Sequence, residues 1–100
     1  MPQGIGSDFA WKEFEPMSQH ILIVDDEPQI RDLLSVYFLK QGYRVSTAAN
    51  SAETERTLQQ SDVDLVVLDI GLGEEDGLKL LAKLKATFPG ILVIGREQAW

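Results

Sequence analysis

Two adjacent acidic residues, Asp25 and Asp26, close one hydrophobic run, ILIVDD, and a third, Asp69, closes another, LVVLDI. Both runs are short, rich in β-branched residues and flanked by helix-like sequence, which is how buried parallel strands read. If the two strands run in the same direction, their carboxyl ends lie together and the three carboxylates meet at one rim. Oxygen ligands clustered at the carboxyl end of a parallel sheet make a site for a hard divalent cation, or an acid/base site. The plainer alternative is that the three aspartates only cap strand ends and loops.

The elements that must position them follow from the pattern of the chain. A strand is expected over residues 20–25, and Pro28 stands near a helix start, where its missing N–H costs nothing. That helix runs to about residue 41, with Ile30, Leu33, Leu34, Tyr37 and Phe38 on one broad face and Gly42 ending it. A second strand covers 43–48. Asn50 or Ser51 caps a helix reaching about residue 60, whose main apolar residues are Ala52 and Leu58. A third strand spans 64–70. The glycine-rich acidic stretch GLGEEDG then leads into a helix to about residue 86, with Leu78, Leu81 and Leu84 three apart. Pro89 and Gly90 break the chain before a fourth strand at 91–94. Strands alternating with helices predict an α/β fold, a doubly wound parallel sheet built from right-handed crossovers.

Residues 1–19 stand apart, with Pro2, Gly4, Gly6 and Pro16 around Phe9, Trp11 and Phe14. Ser7 or Asp8 can cap a short helix through DFAWKEFE that Pro16 ends. The segment is either a frayed extension or a piece that covers core exposed elsewhere, because three aromatics are a large apolar load to leave in water. The domain reading is therefore 1–19 as an N-terminal extension and 20–100 as one domain.

The chain has 100 residues, enough for one small domain, and 44% of them are hydrophobic and 25% charged, an ordinary globular composition. A formal net charge of -7 argues against direct nucleic-acid binding, which needs lysine and arginine facing phosphates. With no cysteine, disulfides and thiolate metal sites are excluded. The apolar runs fall far short of the roughly 20 residues that span a bilayer, and the N-terminus has no signal-peptide pattern. A cytoplasmic protein without membrane contact is expected.

Over residues 20–95 the chain resembles the receiver domain of two-component response regulators, of the kind carried by winged-helix transcription factors. The resemblance rests on ILIVDDEPQIRDLL, on LVVLDIGLGEEDGL at the right separation, and on the helix LKLLAKLK. It implies a flavodoxin-like fold with strand order 2-1-3-4-5. It also implies that Asp69 accepts a phosphoryl group from a sensor histidine kinase. Mg2+ would be held by Asp25, Asp26, Asp69 and the backbone carbonyl of Gly71, with Asp26 the direct ligand, Asp25 acting through a metal-bound water and Glu27 peripheral. A carboxylate attacking a phosphoryl group brings negative charges together, so a bridging cation is required.

Departures from the family pattern limit what the resemblance implies. Ile70, Leu72 and Gly77 keep their places, but Gly73 stands where the family has proline and Glu74 where it has glycine. Gly71 replaces a residue whose side chain borders the acidic pocket, and Thr54 and Glu55 replace an alanine and an apolar residue, leaving that face thinly packed. Gly95 stands where a threonine or serine hydroxyl would bind a phosphoryl oxygen. Arg96 follows in place of a small residue; it can bind an anion, pair with Asp69 and block the site, or lie in solvent. By the resemblance, the sequence ends at Trp100 before a fourth helix, a fifth strand with its lysine, and a last helix, so the expected order is 2-1-3-4 in a truncated receiver. An open fourth-strand edge or uncovered sheet face then predicts a homo-oligomer.

Two functions compete on these grounds. One is a receiver phosphorylated on Asp69 with impaired switching; the other is a non-switching association module derived from a receiver, or a truncated product without phosphotransfer activity. A hydrolase ranks far lower, because no nucleophile–base pair lies near the carboxylates and His20 begins a strand at the opposite rim.

Overall fold

The computed structural model describes residues 19–71 and 76–97. The proposed helix around residues 8–15, Trp100, and the loop positions Gly73 and Glu74 lie outside the described residues. In chain order the elements are β1 (His20–Val24), α1 (Pro28–Lys40), β2 (Arg44–Ala48), α2 (Ser51–Gln60), β3 (Leu65–Asp69), α3 (Gly77–Thr87) and β4 (Leu92–Arg96). All strand pairs are parallel, and the order across the sheet is β2-β1-β3-β4. The expected doubly wound order is thus present. The chain steps outward from β1 to β2, then crosses back to β3, so the winding direction reverses between β1 and β3.

Burial explains why β1 is central. All five of its residues are buried, and side chains alternate between the two faces of the sheet. Leu22 and Val24 join Ala48, Leu58, Val66, Leu68, Leu80, Leu84 and Val93 in the main core beneath α2 and α3. Ile21 and Ile23 face the other way, where α1 packs on β1 and β2. The amino-terminal end of β1 is tied down by polar contacts. The His20 backbone N–H donates to Asp64 Oδ2 at 2.8 Å, and the His20 ring contacts the Asp62 carbonyl at 3.2 Å and Ser46 Oγ at 2.7 Å. These contacts join β1 and β2 to the turn before β3, at the opposite rim from Asp25 and Asp69.

The helices start and stop for local reasons. Pro28 opens α1, and the chain leaves its far end through Gly42 at φ +95°, a conformation that costs glycine little. Asn50 caps α2 by accepting the Glu53 N–H at 2.9 Å, while Glu53 Oε1 reaches back to the Ala49 N–H at 2.8 Å. Asp76 caps α3 by accepting from the N–H groups of Leu78 and Lys79.

Three packing expectations need correction. Of the five apolar positions expected on one face of α1, Ile30, Leu34 and Phe38 are half-buried, whereas Leu33 is 66% and Tyr37 56% exposed. The half-buried face of α1 also takes in Arg31 and Ser35, so it is turned away from Leu33 and Tyr37. In α3 the buried pair is Leu80 and Leu84; Leu81 is half-buried and Leu78 exposed. Thr54, expected to leave α2 thinly packed, is fully buried, and its hydroxyl donates to the Asn50 carbonyl at 2.8 Å. That bond removes the penalty of burying a hydroxyl.

The start of α3 is the tightest approach in the fold. A Cβ at Gly77 would lie 2.2 Å from the Ile70 carbonyl oxygen, whereas one at Gly90 would meet nothing within 4 Å. Gly77→Ala is therefore expected to cost about 3 kcal/mol or to prevent folding, since backbone cannot yield as a side chain does. Gly90→Ala should stay within about 0.5 kcal/mol of the parent. Urea denaturation of the two variants measures the contrast, and equal midpoints would contradict the packing described.

Candidate acidic site at the carboxyl rim

Parallel register brings the acidic ends together. Val24 pairs with Leu68, so the next residues, Asp25 and Asp69, stand side by side at the carboxyl ends of β1 and β3. Asp69 in turn pairs with Arg96 of β4. Three charged side chains therefore occupy one level on three adjacent strands, at the reversal point where ligands of open α/β sheets bind.

Asp25 is the most firmly held of them. It is 1% exposed. Its N–H donates to the Ala48 carbonyl at 3.1 Å, and its carbonyl accepts from Arg31 Nη1 at 2.7 Å. Its Oδ1 accepts the Glu27 N–H at 2.9 Å, and its Oδ2 accepts from Arg96 Nη2 in an ion pair. The buried carboxylate is thus bonded at both oxygens, as burial of a charge demands. Asp26 and Glu27, the next two residues, are exposed.

Carboxylate oxygens of Asp25, Asp26 and Glu27 lie within 4.8 Å of one another. Glu27, expected to be peripheral, belongs to this close set. Asp69 does not belong to it, although it is equally buried at 1% exposure. Its Oδ1 accepts the Gly71 N–H at 3.0 Å, turning the chain directly after β3. A Cβ at Gly71 would lie 3.6 Å from that same oxygen, so position 71 itself adds no side chain beside Asp69.

The fourth strand extends further than expected, through Gly95 to Arg96. A Cβ at Gly95 would approach Ile70 Cγ2 to 3.1 Å, so the missing side chain is matched by the closeness of Ile70. Arg96 does not lie in solvent, one of the courses expected for it, since its side chain is 23% exposed. It pairs with Asp25, two strands away, so its side chain crosses the carboxyl end of β3. Sequence separation of 71 residues hid this pair. The available signal was a lone cation ending the strand two places from β1, opposite a carboxylate that must be buried.

Chemically, the rim offers hard oxygen donors of the kind that suit Mg2+ or Ca2+, a second buried carboxylate on the next strand, and two guanidinium groups, of Arg31 and Arg96. In the presence of a metal chelator, a double-mutant cycle of Asp25→Asn and Arg96→Gln is expected to show a coupling of about 2 kcal/mol. Additive effects on the unfolding free energy would show that the pair contributes nothing.

The family model for the response regulator receiver domain matches residues 21–97. The regulatory protein VirG of Agrobacterium tumefaciens (strain 15955) is 39% identical over 92 residues, covering 90% of this chain and 34% of that protein. The TorCAD operon transcriptional regulatory protein TorR of Escherichia coli (strain K12) is 44% identical over 83 residues, covering 81% of this chain and 36% of that protein. The chain thus spans about a third of the length of these curated relatives. Among solved structures, the response regulator protein TrrA of Thermotoga maritima, in complex with Mg2+–BeF, matches with a TM-score of 0.73 at 33% identity, covering 79% of this chain and 69% of that one. The complex of TrrA with the histidine kinase ThkA matches with a TM-score of 0.71 at 34% identity, covering 77% of this chain and 66% of that one.

Proposed function

The chain belongs to the response regulator receiver domain family, and from that membership we propose that it accepts a phosphoryl group on Asp69 from a sensor histidine kinase, with Mg2+ held at the acidic rim. Residues 20–100 act as the receiver unit in the cytoplasm, with 1–19 as its extension. The observation that carries the reading is the placement of two buried carboxylates, Asp25 and Asp69, side by side on adjacent parallel strands. The TrrA structures, one with Mg2+–BeF and one with a histidine kinase, support this choice of metal and partner class.

The donor set fits a hard cation. Asp25 and Asp26, with Glu27 beside them, bring carboxylate oxygens within 4.8 Å of one another, and the Gly71 carbonyl belongs to the residue that turns back over Asp69. When bound, Mg2+ supplies the positive charge that lets a carboxylate and a phosphoryl group approach. Asp69 is the nucleophile: one of its oxygens forms the bond to phosphorus as the donor's bond to phosphorus breaks. The Gly71 N–H orients the carboxylate through Oδ1, and burial in the sheet fixes its approach. Because Gly95 has no hydroxyl to bind the new phosphoryl group, coupling of phosphorylation to a change of shape is impaired.

The second reading, an association module, is favoured by the apolar surface. Leu92 is 62% and Ile94 47% exposed on β4, and Leu33 and Tyr37 are exposed on α1. By strand alternation Leu92 and Ile94 lie on the α1 face of the sheet, and β4 is the outer strand of the described sheet. An edge of this kind is suited to pairing with the same edge of a second copy about a two-fold axis. Sedimentation over a concentration series should show reversible association that Ile94→Lys abolishes. Compact monomer at every concentration would sink the association reading.

Incubation with a small phosphodonor and Mg2+ should add one phosphoryl mass to the chain, mapped to Asp69 and absent in Asp69→Asn. An unmodified chain under these conditions would overturn the phosphoacceptor reading.

A further inference from the structure

Arg96 joins two positions that the family reading treats separately, the end of β4 and the metal side of the rim. Its side chain is 23% exposed, and that of its partner Asp25 is 1% exposed. Asp25 is the buried member of the three-carboxylate set, the one whose charge water compensates least. We propose that Arg96 is a tethered cation that neutralises Asp25 when no metal is bound, and that it must release Asp25 Oδ2 for a divalent ion to bind the rim. The proposal rests on the reading of Asp25 and Asp26 as metal-side residues.

Three observations carry it. The guanidinium bonds the same carboxylate that a rim metal would use, and Oδ1 is already taken by the Glu27 N–H. A guanidinium and a divalent ion sharing that carboxylate would repel each other at short range and low local dielectric. The arginine also reaches Asp25 only by crossing the end of β3, whose last residue is Asp69. Metal entry therefore includes the loss of a charge-assisted hydrogen bond from a buried group, which lowers the apparent metal affinity. On release Arg96 keeps its backbone register beside Asp69, where a guanidinium can meet an incoming anion.

Calorimetric titration of Mg2+ and of Mn2+ into the full chain, the Arg96→Ala variant and the Arg96→Lys variant tests the competition. Removing the guanidinium should tighten metal binding about tenfold or more, and the shorter lysine, a weaker partner for a carboxylate, by a smaller factor. In the parent chain, the Arg96 Nε–H resonance should shift on metal saturation as the ion pair opens. Equal or weaker affinity in Arg96→Ala overturns the proposal, and so does the absence of measurable binding in all three proteins. Should Arg96→Ala fold only when metal is added, that dependence supports the competition. Should it fold in neither condition, the lysine variant decides, and unchanged affinity there overturns the proposal. A phosphoryl adduct on Asp69 in a parent chain whose metal affinity Arg96→Ala leaves unchanged would remove the role of Arg96 and retain the phosphoacceptor. Tightened binding without any adduct would do the reverse.

Discussion

Asp25 is a charge placed where water hardly reaches, and the arrangement of the rim depends on how that charge is compensated. Taking a carboxylate out of water costs several kcal/mol even after relaxation. Here the cost is offset by the Glu27 N–H on one oxygen and the Arg96 guanidinium on the other, with Arg31 holding the backbone carbonyl of the same residue. These three partners come from the loop before α1, from α1 itself and from the end of β4. One buried carboxylate thereby ties the first and last strands of the described sheet across β3. The ion pair closes at the rim an architecture that, lower down, is held by apolar packing of Leu22, Val66, Leu68 and Leu84.

The same compensation sets what the rim can do. Oxygen ligands at the end of a parallel sheet attract a cation, and here a cation belonging to the chain already occupies the buried one. Arginine is suited to this position because its planar, weakly hydrated guanidinium tolerates partial burial better than an ammonium group. The neighbouring Gly95 contributes in a different way. With no side chain there, Ile70 closes against β4, and no hydroxyl stands at this position beside Leu68 of β3. Two consecutive residues, Gly95 and Arg96, thus shape the rim, one by omission and one by addition.

Much of the fold was legible because it follows from local patterns. The hydrophobic runs ending in Asp25 and Asp69, the helix start at Pro28, the turn at Gly42 and the cap at Asn50 each act over a few residues, and each stands where the pattern put it. The strand order followed from the family resemblance, and the match of the receiver model over residues 21–97 agrees with it. Side-chain facing was less legible. Leu33, Tyr37 and Leu78 satisfy a helical period, yet they lie outside the faces that the helices turn to the sheet, and periodicity alone does not say which face that is. Thr54 reads as polar, but its bond to the Asn50 carbonyl lets it fill the core. The pairing of Arg96 with Asp25 was the least accessible, since it depends on strand order, register and the reach of one side chain together.

On the proposed reading, Arg96 and a rim metal are alternatives at Asp25. A crystal structure of the chain grown with saturating Mg2+ tests this most directly. The account predicts an ion coordinated by the carboxylates of the rim, with the Arg96 guanidinium withdrawn from Asp25 Oδ2. An ion bound at the rim with the Arg96–Asp25 pair still closed would contradict it.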